Sequence, residues 1–264
     1  MRRTRHRLLD VVIPGIAAVA FIGCWEAVVR IAHTPTYVLP APSVILATLI
    51  RDHSLLGASL LFTLKITLAA LAAAAIGGAL LAVASAESRA LERVLFPFAV
   101  VLQVTPVVAI APLIIIWVNS PLAALLLCAW IVAFFPILAN TTQGLNSVDP
   151  NLRALFTLYG ASRWQTLWYL RLPSTLPYFL TGLRISGGLA LIGAIVGEFV
   201  SASGGQETGL AYRIMESGYR LDIARMFAAL LLISLTGIAI FVILSILSWA
   251  LLRNWHDSAT TEES

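Results

Sequence analysis

The stretch "SVDPNLRALFTLYGASRWQTLWYLRLPSTLP", residues 147–177, interrupts a chain built otherwise from runs of Leu, Ala, Ile and Val, and its reading decides the fold. Asp149 ahead of Pro150 is a helix start, an aspartate cap followed by a proline at the first helical position. Leu152, Leu155, Phe156 and Tyr159 then recur at i, i+3, i+4 and i+7, one apolar stripe. Gly160 suits the left-handed conformation that ends a helix. Ser162 with Gln165 three residues on forms a capping box for a second helix. Trp164, Leu167 and Trp168 share a face of that helix, and Pro173 is expected to close it. The pattern predicts a helix–glycine–helix elbow, apolar on one face, with Arg163 and Arg171 on the other. Such an elbow fits an amphipathic helix lying on lipid headgroups or a docking surface for a partner. A helix floating on headgroups does not need two caps and a hinge.

Apolar residues make up 59% of the chain and charged ones 11%, against about 25% charged in soluble domains. Too few charges remain to coat a globular surface, so the chain reads as a membrane protein. The net charge of +4 comes without a basic stripe, which argues against nucleic-acid binding. Cys24 and Cys128 lie inside apolar runs and read as small buried hydrophobes, not as a disulfide or metal pair. The start, "MRRTRHRLLDVVIPGIAAVAFIGC", looks like a signal peptide, and "FIGC" like a lipoprotein box. Further apolar segments follow in place of a soluble domain, so the segment is read as an uncleaved first helix.

Crossing the hydrocarbon core takes about 20 mostly apolar residues. Six segments qualify, at about 8–31, 60–84, 97–117, 121–143, 178–200 and 226–252. No charge occurs between Arg93 and Asp149, room for two spans, with "WVNSP" as the turn between them. An even number of spans puts both termini on one side, together with Arg89, Arg93, Arg153, Arg163 and Arg171. The opposite side holds Arg51, Arg213, Arg220 and Arg225. The arginine-rich side, elbow included, is expected to be cytoplasmic. On the other side a short helix is expected from Ser43, its cap, to Arg51, and another around Leu210 to Glu216. Residues 1–256 read as one transmembrane domain and 257–264 as a disordered tail.

Gly160, nine residues, Leu170, one residue, then Leu172-Pro173 resembles the G-x9-I-x-L-P part of the cytoplasmic "EAA" signature of ABC importer permeases. "TPTYVLPAPSVI", "PVVAIAPLIIIW" and "FFPILANTTQGLNSVDP" are similar, in the same order, to other blocks of the nitrate, sulfonate and taurine branch. The resemblance covers nearly the whole chain. It implies an all-α, six-helix type I permease subunit in the bacterial inner membrane, working with ABC ATPase subunits, an extracytoplasmic substrate-binding protein and a second permease copy. It assigns ATPase coupling to the loop 149–173, through Asp149, Leu152, Leu155, Phe156, Gly160, Ala161, Arg163, Leu172 and Pro173. The substrate it implies is an aliphatic sulfonate, taurine or nitrate, with the pyrimidine and other organic substrates of similar relatives also open. One position departs: Ala154-Leu155-Phe156 stands where the family often has Glu-Ala-Ala, which puts a salt bridge to the ATPase there in doubt.

The single lysine, Lys65, rules out a G-x-x-x-x-G-K-[ST] phosphate loop, so ATP and Mg belong to a partner chain and this chain binds no cofactor. The four histidines are dispersed, leaving neither a metal site nor a catalytic constellation for an enzyme. The alternative is a proton-coupled secondary transporter using Glu26 or Glu198. Glu26 and Arg30 are spaced to pair, while Lys65 and Arg184 sit where they can snorkel. Gly182, Ser186, Ala190 and Ala194 recur every fourth residue, and Gly193 with Gly197 forms a GxxxG pair. That face packs inside one subunit or, the reading preferred here, walls a path between two copies, with Glu198 beside it. Prolines at 97, 106, 112 and 136 free carbonyls within spans, which makes Gln103, Thr105 and Asn140 further candidates for the translocation path.

Overall fold

The computed structural model describes residues 2–201 and 208–253; the expected tail at 257–264 lies outside the described residues. Among the described residues the chain is helical, with no strand. The helices are α1 (Arg2–Ile31), α2 (Pro42–Arg51), α3 (His53–Glu87), α4 (Arg89–Val104), α5 (Val107–Trp117), α6 (Pro121–Asn146), α7 (Pro150–Leu158), α8 (Arg163–Thr166), α9 (Leu172–Ser201), α10 (Leu210–Tyr219) and α11 (Ile223–Leu252). A π-helical turn, Leu167–Arg171, joins α8 to α9 without a break. Five helices are long and apolar enough to cross a bilayer: the Ile13–Ile31 part of α1, α3, α6, the continuous Arg163–Ser201 rod, and α11.

The expected third span, 97–117, is two helices, α4 and α5, bent by 104°. The break falls at Thr105 and Pro106, both extended, with ψ of 120° and 113°. The residue before a proline resists the helical conformation, and here the Thr105 hydroxyl donates to the Val101 carbonyl at 2.6 Å as α4 ends. Pro97, Pro112 and Pro136 stay inside their helices. Counted as one bent span, the pair brings the total to six.

The centre of the bundle is α6, packed between α3 and α9. Lipid tails are as apolar as the side chains, so these helices adhere through close packing, which small residues permit. A Cβ on Gly193 would meet the Ala129 backbone at 2.7 Å, and one on Gly197 the Leu125 side chain at 2.9 Å. Ser186 donates to the Ala133 carbonyl at 2.6 Å across the same contact. The small-residue face of α9 therefore packs against α6 of its own chain. Of the two readings of that face, these contacts fit packing within one subunit. By contrast, only 6% of the apolar window of α1, and 6% of that of α11, is buried. These two helices sit at the bundle's periphery. Trp25 of α1 meets Phe227 of α11 with ring centroids 6.0 Å apart.

Polar groups concentrate at the two ends of the bundle. At the start of α3, Asp52 accepts from Arg225 at 2.7 Å and from Arg51 at 3.0 Å. Glu26 pairs with Arg30 as its spacing predicts. The expected Ser43 cap is not made, for Ala41 stands at the N-cap of α2. Ser43 instead gives its backbone N–H to Glu26 at 3.0 Å and its hydroxyl at 2.7 Å, so a carboxylate from α1 meets the first turn of α2. Arg184 is not at a span end; its guanidinium stands 5.9 Å from the centre of the Phe241 ring.

Candidate functional site

The elbow forms as its local signals require. Asp149 accepts from the Asn151 N–H at 2.7 Å and opens α7, a cap of about 1 kcal/mol. Gly160 has φ of +68°, where a side chain costs about 1–2 kcal/mol. The Ala161 N–H reaches back to the Phe156 carbonyl at 2.9 Å and the Gly160 N–H to that of Thr157 at 3.0 Å. Those two bonds are a Schellman ending. The Ser162–Gln165 box is closed in both directions, at 2.7 and 3.2 Å.

Beyond the box the structure departs from expectation. Pro173 does not end the helix. A proline has no N–H to give and its ring presses on the carbonyl four residues back. Here the Leu172 N–H bonds to the Leu167 carbonyl, five back, and the widened turn carries the chain through. Ser174 and Thr175 hydroxyls take the Leu170 and Arg171 carbonyls at 2.8 and 2.7 Å. The wide turn also rotates the faces. Leu167 and Leu170 are buried, while Trp164 and Trp168 stay exposed, so the expected Trp164–Leu167–Trp168 face is split.

The same rotation turns Arg171 inward, away from the polar face expected for it. Its Nε donates to the Leu145 carbonyl at 3.1 Å and its Nη1 to Glu87 at 3.0 Å. Leu145 lies in the last turn of α6 and Glu87 ends α3, where carbonyls lack helical partners and a cation is favoured. Burial lies behind this arrangement: the Arg171 side chain is 13% exposed. Its one sequence signal was its position two residues ahead of Pro173, which forces the turn to widen.

What the elbow displays outward is apolar. No residue of α7 is buried, and Leu158 and Tyr159 are each 84% exposed. Leu155, Phe156, Tyr159, Ala161, Gln165 and Tyr169 line a hollow of about 360 Å³. Arg153 and Arg163 are exposed beside it, with Ala154 on the outer surface of α7. Of the expected coupling residues, Leu155, Phe156 and Ala161 line this hollow, Leu152, Gly160 and Arg163 are exposed elsewhere on the elbow, and Asp149 fixes its start. Leu172 packs toward the core, and Pro173 is exposed at the root of α9.

The expected path residues do not gather. Gln103 is exposed next to the α4–α5 bend. Asn140 lies against Gly182 of α9 and donates to the Pro136 carbonyl of its own helix at 2.8 Å. Glu198 is 3% exposed, not half-solvated as its position near the span end suggests. It accepts from the Thr63 hydroxyl at 2.7 Å and from the Ala211 N–H at 2.9 Å, while Thr63 accepts from the Leu210 N–H at 2.9 Å. The carboxylate thus caps the N-terminus of α10, whose own N-cap residue, Gly209, has no side chain to do it. A Cβ on Gly209 would overlap that carboxylate. Thr63 was missed from the sequence, where it is one threonine in an apolar run.

Residues 74–258 match the family of binding-protein-dependent transport system inner membrane components. The formylaminopyrimidine transport permease protein ThiX of Halalkalibacterium halodurans is 36% identical over 81% of this chain and 84% of its own length. The riboflavin transport system permease protein RibX of Chloroflexus aurantiacus is 34% identical over 89% and 86%. The putative aliphatic sulfonates transport permease protein SsuC of Bacillus subtilis is 27% identical over 90% and 85%. Relatives named for taurine and nitrate transport match as well, so the resemblance to that branch stands, though two relatives of higher identity carry other substrates in their names. These relatives are transport components and not enzymes. The chain belongs to the binding-protein-dependent permeases, as a multi-pass inner-membrane subunit of an ABC importer.

Proposed function

We propose that the elbow, 149–173, is the part of this subunit that an ABC ATPase grips, and that nucleotide-driven closure of the ATPase moves the bundle through it. The observation that carries this is the uncovered apolar hollow around Phe156 and Tyr159, held rigid by a Schellman ending and a closed capping box. A helix built to lie flat on headgroups would spread its apolar groups along one plane. Here they surround a concavity that a partner's side chain fits. In this reading ATP and Mg sit in the ATPase, a second copy of the permease completes the path, and residues 1–256 act as one domain. Both termini are cytoplasmic, on the elbow's side. Arg153 and Arg163 are exposed there, whereas Arg51, Arg213, Arg220 and Arg225 at the opposite end are each paired with a carboxylate.

The solute delivered by the binding protein is read as a small sulfonate, taurine or nitrate. The heteroaromatic solutes in the names of ThiX and RibX form the second reading, favoured by their higher identity. Proton coupling through Glu26 or Glu198 has little to support it, since both carboxylates hold helix starts together.

The test is cysteine cross-linking in membranes that contain the permease and its ATPase. Cysteine at Tyr159 is expected to cross-link to the ATPase, and cysteine at Tyr219, on the opposite end, is not. A cross-link from Tyr219 alone, or none from the elbow with any nucleotide, would overturn the assignment.

A further inference from the structure

Lys65, the single lysine, stands on α3 about 18 Å along the helix from His53, at 1.5 Å per residue. A charge inside a span is expensive against lipid and usually faces a protein interior or a watered cavity. Lys65 is exposed, and it lines a cavity of about 490 Å³ between α3, the start of α6 and the approach to α10. That volume lies within the range of small-molecule sites, about 300–1,000 Å³.

Two of the polar groups lining this cavity, Lys65 and Arg213, are cations. Arg213 lines it with its side chain 15% exposed, its Nε bonded to Ser59 at 3.0 Å and its Nη1 to Glu216 at 2.8 Å. Glu216 is shared with Arg220 at 2.9 Å, so one carboxylate serves two guanidinium groups. Among the described residues no carboxylate pairs with Lys65. Thr208 lines the same cavity, is 5% exposed, and its hydroxyl has no partner among the described residues. Phe62 and Leu122 provide apolar wall. Glu198 lines an adjoining hollow, but its oxygens are held by Thr63 and Ala211.

We infer that this cavity receives the anionic group of the transported solute. The Lys65 ammonium and the Thr208 hydroxyl donate to its oxygens, the fixed Arg213 supplies a second positive charge, and the solute's aliphatic part rests on Phe62 and Leu122. An ammonium and a hydroxyl with open valences suit a sulfonate, carboxylate or nitrate. An uncharged heteroaromatic ring would leave the Lys65 ammonium without a counter-charge in the cavity, which disfavours it against an oxyanion. The inference rests on the importer reading above and narrows its substrate to small oxyanions.

As the only lysine, Lys65 can be followed by amine acetylation and peptide mass in the purified permease–ATPase complex. At constant ionic strength, sodium ethanesulfonate or sodium nitrate is expected to slow its acetylation by about fivefold or more, as an occupied site would. In proteoliposomes with the binding protein, Lys65→Met is expected to lower ATP-driven ethanesulfonate or nitrate uptake about tenfold, the size of one lost charge-assisted contact. Lys65→Arg retains uptake. Equal acetylation with and without both anions, or wild-type uptake by Lys65→Met, would overturn the inference. A wild-type complex with no ATP-driven uptake would strike the importer reading instead, and the acetylation would still decide the cavity by itself.

Discussion

The two ends of the Arg163–Ser201 rod make opposite use of a buried charge. Near its start, Arg171 sits where α3 and α6 end and satisfies a carbonyl and a carboxylate there. Near its finish, Glu198 sits where α10 begins and satisfies an N–H directly and another through Thr63. Each sign suits the helix terminus it meets. What lies beyond each charge differs. Past Arg171 is an exposed surface of Leu, Tyr and Trp; past Glu198, four arginines each hold a carboxylate. The arginines of one end are paired within the chain, and the other end displays an uncovered apolar hollow. If that contrast is functional, lesions at one end should leave the other undisturbed.

The largest effect is expected at the hinge. Gly160→Pro forces φ from +68° to about −65° and removes the N–H that bonds Thr157. Loss of the Schellman ending costs about 3 kcal/mol locally. ATP-driven uptake and recovery of the ATPase with the permease should both fall to background. Phe156→Asp should do the same without refolding the turn, by placing a charge in the hollow. Hydrogen exchange in α10 should match wild type in both variants. Faster exchange there would break the independence of the two ends.

The converse lesion is next in size. Glu198→Leu leaves the Ala211 N–H and the Thr63 hydroxyl without their acceptor in a buried site, a loss of about 1–3 kcal/mol for each unmet group. Gly209→Ala reaches the same result by crowding the carboxylate. Exchange of α10 amides should rise severalfold in both, while the ATPase still co-purifies in wild-type amount. Loss of the ATPase with Glu198→Leu would mean that the ends communicate through the rod.

These contrasts were legible in the sequence only where they are local. Asp149, Pro150, Gly160, Ser162 and Gln165 act on residues no more than five positions away, and each does what its chemistry predicts. The spans were legible from their length and composition, apart from the bend at Thr105, where one Thr-Pro step among several prolines gives way. Contacts between distant segments were not. Thr63 and Glu198 are 135 residues apart, and Arg171 and Glu87 are 84 apart. The spacing of glycines along α9 announces a close approach without naming α6 as the neighbour.

A smaller effect separates the end opposite the elbow from the elbow by pH. Hydrogen bonds from Arg51 and then Arg225 hold the Asp52 carboxyl below the ordinary carboxylate range, against a burial that raises it. A lowered folded pKa gives stability that is present above the unfolded value of about 3.9 and lost as pH falls through the folded one. Asp52→Asn should therefore unfold more easily than wild type at pH 7 by about 1 kcal/mol. The gap in thermal midpoint should close below about pH 4. A gap that persisted undiminished in acid would mean that the Asp52 side chain acts by packing and not by charge.

The smallest expected effect bears on how the elbow is gripped. Ala154 stands on the exposed surface of α7, at the position where the resembling loops often carry glutamate. Ala154→Glu should change the stability of the permease by no more than about 0.5 kcal/mol, as for an exposed helical position without partners. If the ATPase recognises the hollow by shape, the added carboxylate lies at the rim of the contact and contributes about 0.2–1 kcal/mol. Affinity for the ATPase, measured by titrating it onto the permease in nanodiscs, would then change by less than about fivefold. A larger tightening would reveal a cation in the ATPase cleft that finds no carboxylate in this chain. The grip would then depend on charge as well as shape, and the exposed Arg153 beside Ala154 would be working against it.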